Sequence, residues 1–183
     1  MKALRARDMD PLKPGELLMT RTIMLAACLF TANFAAGCDS PDDSDTEYRE
    51  QVADAELALE DAVDPVLDQT EAVIVDVSFE EGIDDGFYLV ETIDGDDLLV
   101  YEVDAMSGER VESERRRARP ERVELARRHR HLRHRLAEVV REVRVERPEE
   151  RAVRARLVGD EVEIEMMDRR GRRRALRRRV DGR

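Results

Sequence analysis

Hydrophobic residues recur at helical spacing near the start of the hydrophilic part of the chain. Six of them lie three or four positions apart, which predicts one face of a helix over 52–66. They are Val52, Ala55, Leu59, Ala62, Val63 and Val66. Asp64 precedes Pro65, and because the residue before a proline avoids the helical region, we expect a kink or an end there.

The next segments have the period of two that is typical of strands. The apolar face of the first strand is Val73, Val75, Val77 and Phe79. Turn signals then separate a second, a third and a short fourth strand at 87–93, 98–104 and around Val111. The intervening turns are 81–86, Asp94-Gly95 and 105–108. This order predicts an α+β fold in which one helix packs on a small antiparallel meander sheet.

The second half of the chain repeats this order. Pro120 can open a helix, whose apolar stripe is Leu125, Leu132, Leu136, Val139, Val140 and Val143. Alternating segments follow at 153–157, 162–166 and 176–180. Glutamates at 161–165 would face arginines of neighbouring strands, and each such pair contributes about 0.2–1 kcal/mol. We therefore predict that the module is repeated twice; the alternative is an arginine-rich tail that is partly disordered.

A short motif closes the first half, Tyr101-Glu-Val-Asp-Ala-Met-Ser-Gly-Glu-Arg-Val111. We expect it to be a structural turn. Asp104 and Ser107 can bond local backbone amides, and Gly108 can take a positive φ.

This motif, together with helix 52–66 and the hairpin at Asp94-Gly95, resembles the PepSY domain family of bacterial envelope proteins. The family often closes on a similar pattern with threonine where this chain has Ser107. Val180-Asp181-Gly182 echoes Val103-Asp104, so the second half resembles a divergent PepSY-like copy. The resemblance implies a module that binds or restrains peptidases.

The N-terminal part of the sequence has the pattern of an export signal. Residues 23–36 are almost free of polar groups, yet they are fewer than the about 20 that span a bilayer as a helix. They lead into Ala35-Ala36-Gly37-Cys38, which resembles the lipobox of bacterial lipoproteins, although Ala35 stands where a branched residue is usual. We predict acylation of Cys38 and a lipid-anchored protein in the cell envelope, facing the periplasm or the outside. Ordinary secretion and an uncleaved anchor remain alternatives.

The expected organisation begins with a signal peptide over 1–38. Within it, 1–18 are rich in acids and prolines, unlike a basic leader, and a start at Met19 would leave them untranslated. An acidic, disordered tether is expected over 39–46 because these residues have nothing to bury.

Charge divides the rest of the chain into two modules. Residues 39–114 carry 27 acidic groups and two arginines, whereas residues 115–183 carry 25 arginines and 13 carboxylates. We expect an acidic PepSY-like module over 47–114 and a basic one over 118–183. Their opposite charges predict that residues 117–135 lie against the acidic loops 81–86 and 94–97.

Several chemistries find no support in the sequence. No nucleophile motif, phosphate loop or dinucleotide fingerprint is present, so we predict no enzyme activity, catalytic residue or cofactor. Cys28 and Cys38 belong to the apolar segment and its end, which argues against a disulfide scaffold or a zinc finger. The loop acids do not match the calcium-binding loop. His131 and His134 lie three apart but His129 points elsewhere on a helix, so we expect a solvated face without metal.

The arginine runs also raise the question of nucleic acid. Every aromatic residue after Cys38 lies in the acidic module, so the basic module lacks stacking side chains and we predict no nucleic-acid partner.

The sequence favours a non-catalytic, lipid-anchored interaction module, in the concrete form of a regulator or inhibitor of an exported peptidase. The alternative is an adhesion or scaffolding lipoprotein whose arginine-rich module binds anionic lipid or polysaccharide. A third hypothesis, metal sensing or carriage, rests only on the loop acids and the histidines.

Overall fold

Helices and antiparallel strands alternate in two groups in the computed structural model, which describes residues 43–181. The helices are α1 (Asp43–Asp54), α2 (Asp64–Leu67), α3 (Pro120–His129) and α4 (Arg135–Glu146), with a 3-10 turn at Arg130–Leu132. The strands are β1 (Val73–Glu80), β2 (Phe87–Asp94), β3 (Asp97–Asp104), β4 (Arg110–Arg117), β5 (Glu150–Val158), β6 (Glu161–Asp168) and β7 (Arg173–Arg179).

All the strands belong to one sheet in the order β4-β3-β2-β1-β5-β6-β7. The α+β class is therefore confirmed, but the prediction of a small meander repeated twice is wrong about the sheet. Each group does form a meander, and the two are joined because β1 pairs with β5 through Asp76–Arg156, Val77–Ala155 and Ser78–Arg154. The result is one continuous sheet of seven strands.

Helices cover both faces of the first meander. On the main face, α1, α2 and α4 pack over a core that includes Val77, Val103 and Ile164. On the opposite face, Val123 and Ala126 of α3 pack in a smaller cluster with residues of β1, β2 and β3. A register shift between Ile74 and Asp76 divides β1 between the faces. Val73 and Val75 consequently join the smaller cluster, rather than sharing one face with Val77 and Phe79 as predicted.

The predicted helix over 52–66 is interrupted. α1 ends at Asp54 and α2 begins at Asp64, although the stripe residues between them remain buried. The Arg151 guanidinium donates to the carbonyl oxygens of Val52 and Ala55, at the end of α1. Such capping satisfies carbonyls that would otherwise continue the helix.

Three further boundaries differ from the prediction. α1 begins at Asp43, so residues 43–46 of the expected tether are helical, which suits acidic residues in a first turn. The apolar stripe of the second half is divided by the turn at 130–132, because α3 and α4 pack on opposite faces. The expected short strand around Val111 is an eight-residue strand, β4.

Both edges of the sheet are rich in arginine. β4 is exposed beyond its first residue and ends Arg115-Arg116-Arg117, and β7 carries Arg177, Arg178 and Arg179. Charged edge strands discourage pairing with strands of other molecules. These runs therefore have a structural explanation that does not require nucleic acid.

At the junction of the two meanders, Arg154 binds the buried carboxylate of Asp76. Its Nε and Nη2 donate to the two oxygens at 3.2 and 2.8 Å. Burial raises the pKa of the Asp76 carboxyl, and the hydrogen bond and charge of Arg154 act in the opposite direction. The pair therefore offsets a desolvation cost rather than adding large net stability.

We expect Arg154→Leu to lower the free energy of unfolding by about 1–3 kcal/mol, because it leaves a buried charge without its partner. The double variant Asp76→Leu/Arg154→Leu removes both charges and should regain most of that loss. Urea unfolding followed by far-UV circular dichroism measures both.

Acidification provides a second check on this pair. The folded pKa of Asp76 lies above its ordinary value of 3.8, because burial disfavours the charged carboxylate. The resulting loss of folding stability is absent below pH 3.8 and is complete once the pH has risen through the folded pKa. The deficit of Arg154→Leu relative to the unchanged chain should therefore be largest at neutral pH and shrink on acidification. A deficit independent of pH would contradict this account.

Candidate functional site

Arginines of the basic module contact carboxylates of the acidic module throughout the interface. The shortest such pairs are Arg122–Glu91 at 2.6 Å, Arg144–Glu60 at 2.7 Å, Arg133–Glu71 at 2.8 Å and Arg154–Asp76 at 2.8 Å. Most of these arginines are partly exposed, and such pairs contribute little individually, about 0–1 kcal/mol. Their common effect is to neutralise the acidic module along the whole contact.

The expected contact between residues 117–135 and the acidic loops is found at one loop. Arg117 and Arg127 bind the Asp96 carboxylate at 3.3 and 3.2 Å. In the described residues no ion pair joins this segment to the loop 81–86. That loop is instead held by Gln51 of α1, whose side chain bonds the backbone of Gly82.

Glu60 is the most deeply buried carboxylate of the interface, with 2% of its surface exposed. Arg144 of α4 reaches it at 2.7 Å, and the neighbouring Arg141 donates to the Glu60 carbonyl and to Asp64 at 3.0 Å. Since a buried carboxylate without a partner is costly, these arginines fix α4 against the segment that joins α1 and α2.

The closing turn brings Asp104, Ser107 and Gly108 together. Asp104 Oδ1 accepts the backbone N–H groups of Met106 and Ser107 at 3.1 and 2.7 Å, and the Ser107 hydroxyl at 2.8 Å. Gly108 has a φ of +73°, a conformation that other residues adopt only with strain. Leu57, in the segment after α1, donates its N–H to the carbonyl of Ala105 at 3.0 Å, so the turn is tied to the helical layer.

Among residues 43–181, no helix packs across one surface of the sheet, although Tyr48 of α1 contacts Arg173 at its end. This surface is the face of β5–β7 that lies opposite α4, and we call it the open face. Its charged side chains are Arg154, Arg156, Glu161, Glu163, Glu165, Arg173, Arg177 and Arg179. The strands alternate in charge, with glutamates on β6 between arginines on β5 and β7.

Ion pairs connect the strands across the open face. Arg156 and Arg177 bind Glu163 at 2.9 and 3.2 Å, and Arg173 binds Glu165 at 3.3 Å. The predicted pairing of the glutamates at 161–165 with arginines of adjacent strands is thereby confirmed. Arg156, Glu163 and Arg177 are paired across β5, β6 and β7, so they form one row of alternating charge over the three strands.

The histidines do not share one environment. His129 is buried, and its Nε2 lies 2.9 Å from the carbonyl oxygen of Gly159, in the turn between β5 and β6. The expectation of a solvated face is wrong for this residue, because α3 ends against that turn. The Nε2 of His134 accepts a hydrogen bond from Arg133 at 3.0 Å. Between residues 43 and 181, no three His, Cys, Asp or Glu side chains converge as a metal site would require.

Cys38 and the apolar segment before it lie outside the described residues, so the predicted lipidation stays a prediction. Among residues 43–181, no helix is both long enough and apolar enough to cross a bilayer.

Comparison with known proteins assigns no family. No protein-family model and no curated protein matches the chain. A crystal structure of a "putative lipoprotein" from Clostridium difficile 630 aligns with a TM-score of 0.38 and 14% sequence identity, over 68% of this chain and 95% of that chain. A similarity of this size carries no argument about function, which is therefore argued from the geometry.

The closing turn is expected to lose stability in acid. Hydrogen bonds from the backbone N–H and the hydroxyl of Ser107 lower the pKa of the Asp104 carboxyl. The stability that its charged form contributes is present above the ordinary pKa of 3.8 and is lost as the pH falls through the folded pKa. We expect Asp104→Asn to cost about 0.5–1.5 kcal/mol at neutral pH and less in acid, measured by urea unfolding at both pH values.

Ser107→Thr is the matched control, since it keeps the hydroxyl and should change the stability little. Gly108→Ala should cost about 1 kcal/mol at every pH, because alanine is strained at positive φ. An Asp104→Asn variant whose deficit does not depend on pH would refute the role of the charge.

Proposed function

We propose that the chain is a non-catalytic, lipid-anchored module of the cell envelope that binds a protein partner through the open face of β5–β7. The observation that carries this proposal is that the helices of residues 43–181 cover both faces of the first meander but only one face of the second. A sheet face that these helices leave uncovered, with arginine and glutamate side chains in a fixed pattern, suits recognition of a surface with the complementary pattern.

The pairing on this face favours a protein partner over an anionic polymer. Arg156, Arg173 and Arg177 already bind glutamates of β6. A lipid surface or a polysaccharide of uniform negative charge would have to displace these glutamates and would then be repelled by them. A protein can instead place its own acidic and basic side chains in register with this pattern. The alternative of an adhesion or scaffolding lipoprotein that binds anionic lipid or polysaccharide is less well supported for this reason.

We further propose that the chain is PepSY-like and that its partner is an exported peptidase, which it regulates or inhibits. Support comes from the sequence motif and from two matching features of the structure. Each half has helices followed by an antiparallel meander, and Asp104, Ser107 and Gly108 of the motif lie in one hydrogen-bonded turn.

Anchoring at Cys38 would hold this module close to the membrane. α1 begins at Asp43, and the five residues from Asp39 to Asp43 can extend by at most about 18 Å. The folded unit would thus lie near the headgroups and would reach partners at the same surface.

We expect Cys38→Ser to move the protein from the membrane fraction to the soluble fraction, or to leave it unprocessed. Fractionation and intact-mass analysis of the mature chain measure this. Cys28→Ser is the matched control, since it changes the other cysteine and should leave the anchor in place. A mature chain without a lipid adduct, beginning elsewhere than Cys38, would exclude this anchor.

The open face is tested by inverting one row of charges. The triple variant Arg156→Glu/Glu163→Arg/Arg177→Glu keeps the two ion pairs of residue 163 in reversed order and loses only the longer Arg177–Glu161 contact of 4.0 Å, so the fold should persist while the pattern seen by a partner is inverted. We expect crosslinking in the native envelope to recover a peptidase with the unchanged chain, and about tenfold less of it with the triple variant.

The control for this experiment is Glu112→Arg/Arg115→Glu, which reverses an exposed pair on β4, away from the open face. It should recover the same peptidase as the unchanged chain, and the purified chain should alter the turnover of that peptidase without turnover of its own. Equal recovery with the triple variant, or recovery of no peptidase, would refute the proposed partner or its site.

A further inference from the structure

Four arginine side chains stand apart from the ion-pair network. Within residues 43–181, most arginines bind a carboxylate, and Arg110 and Arg151 donate to other side-chain or backbone oxygens. Four arginines make neither a side-chain hydrogen bond nor an ion pair within that part of the chain: Arg49, Arg119, Arg130 and Arg170. In a chain so rich in carboxylates, an unpaired guanidinium is unusual, and two of these four line the same cleft.

This cleft lies between α1 and the turn that joins β6 to β7. It has a volume of about 270 Å³. The larger and charged residues of its lining are Asp45, Tyr48, Arg49, Met167, Arg170 and Arg173. Three arginines thus line one small space with a single carboxylate, that of Asp45, and one of these arginines, Arg173, also binds Glu165.

The aromatic wall of the cleft is fixed by several contacts. The ring of Tyr48 packs edge-on against Phe79 at 5.5 Å, and its hydroxyl donates to the Phe79 carbonyl at 3.4 Å. The guanidinium of Arg173 lies over the Tyr48 ring, 4.4 Å from its centroid. Burial raises the pKa of Tyr48 to about 12, so its ring carries no charge at neutral pH. Arg173 is thereby held at the cleft in a defined orientation.

The turn between β6 and β7 allows Arg49 to approach. Gly171 has a φ of +78°, and a Cβ at this position would lie 3.2 Å from Cδ of Arg49. The carboxylate of Asp168 accepts the backbone N–H of Arg170 at 2.8 Å. That bond fixes the turn but leaves the Arg170 guanidinium without a partner in the described part of the chain.

We propose that this cleft binds a phosphate group, and that its source is the headgroup of a phospholipid in the membrane that anchors the protein. Arginine guanidinium groups recognise phosphate through charge-assisted, bidentate hydrogen bonds, and Arg49, Arg170 and Arg173 border the cleft together. Asp45 lines the same cleft, and its carboxylate can accept a hydrogen bond from a hydroxyl or ammonium group of the headgroup.

The choice of source rests on the proposed anchor at Cys38. Asp45 lies seven residues after Cys38, and the chain before α1 can extend by no more than about 18 Å, so an anchored protein holds the cleft within reach of the headgroups. The phosphate site itself does not depend on the anchor, because it is formed by residues of α1, of β6 and β7, and of the turn between these strands.

The site is tested with the full chain, labelled with ¹⁵N-arginine and purified in a detergent with a sugar headgroup. Inorganic phosphate is titrated while the side-chain Nε signals are followed by NMR. We expect saturable shifts at Arg49 and Arg170. Arg49→Gln or Arg170→Gln should weaken phosphate binding about tenfold while leaving the far-UV circular dichroism unchanged.

Arg119→Gln and Arg130→Gln are the matched controls, because they remove the other two unpaired arginines and are remote from the cleft in sequence. They should change the affinity less than twofold, about the scale of a single distant surface charge. Equal weakening in the controls, or shifts that do not saturate, would overturn the site by showing only a general attraction between charges.

The lipid source is tested separately with the full chain in phosphatidylglycerol-containing vesicles that carry a spin label on the headgroup. We expect the Arg49 and Arg170 signals to broaden, and Arg170→Gln to reduce the broadening at Arg49. If phosphate binds in detergent but no broadening occurs, the headgroup is excluded as the source. The anchor is judged independently by the fractionation of Cys38→Ser, so failure of the anchor and failure of the cleft can be distinguished.

Discussion

The pairing of β1 with β5 joins the two halves of the molecule. It consists of three residue pairs, yet it places an acidic meander and a basic meander edge to edge in one sheet. The backbone N–H and C=O groups at the edge of a strand can pair with another strand. Here the inner edge strands of the two meanders, β1 and β5, pair with each other. The outer edges, β4 and β7, have no further strand beside them within residues 43–181, and they carry the arginine runs. The join also explains why Asp76 is buried and why Arg154 must accompany it.

The charge asymmetry of the sequence has its main effect inside the fold. Arginines of the basic half bind carboxylates on the sheet, on its loops and beside α4, and they cap the ends of α1 and α2 through Arg151 and Arg133. Because each exposed pair contributes little, the benefit lies in relieving the repulsion of the crowded carboxylates along the whole contact. Within residues 43–181, the carboxylates nearest the contact are thus paired by the chain's own arginines, and most of those arginines already have a partner.

Local patterns predicted most of the elements but not their assembly. The alternation at 162–166 and the turn at Asp94-Gly95 identified strands and a hairpin, because these depend on neighbouring residues. The register shift in β1 and the end of α1 were missed, since they depend on contacts with distant residues. Arg151 is nearly one hundred positions from Val52, and no local signal connects the two. The same limit applies to the cleft, whose arginines come from α1, from the turn after β6 and from the start of β7.

The open face and the cleft proposed to bind phosphate share one side chain. Arg173 binds Glu165 on the open face at 3.3 Å and lies over Tyr48 in the cleft at 4.4 Å. A phosphate that draws this guanidinium into the cleft weakens its hold on Glu165, and a partner that binds Glu165 frees Arg173 for the phosphate. Since coupling between two binding events is reciprocal, a partner and a headgroup would each change the affinity for the other by the same factor. A protein held at the membrane by its own anchor would then present the open face differently when a headgroup occupies the cleft. Arg173→Gln should remove this coupling while leaving Arg49 and Arg170 to bind phosphate, which makes the two sites separable by a single substitution.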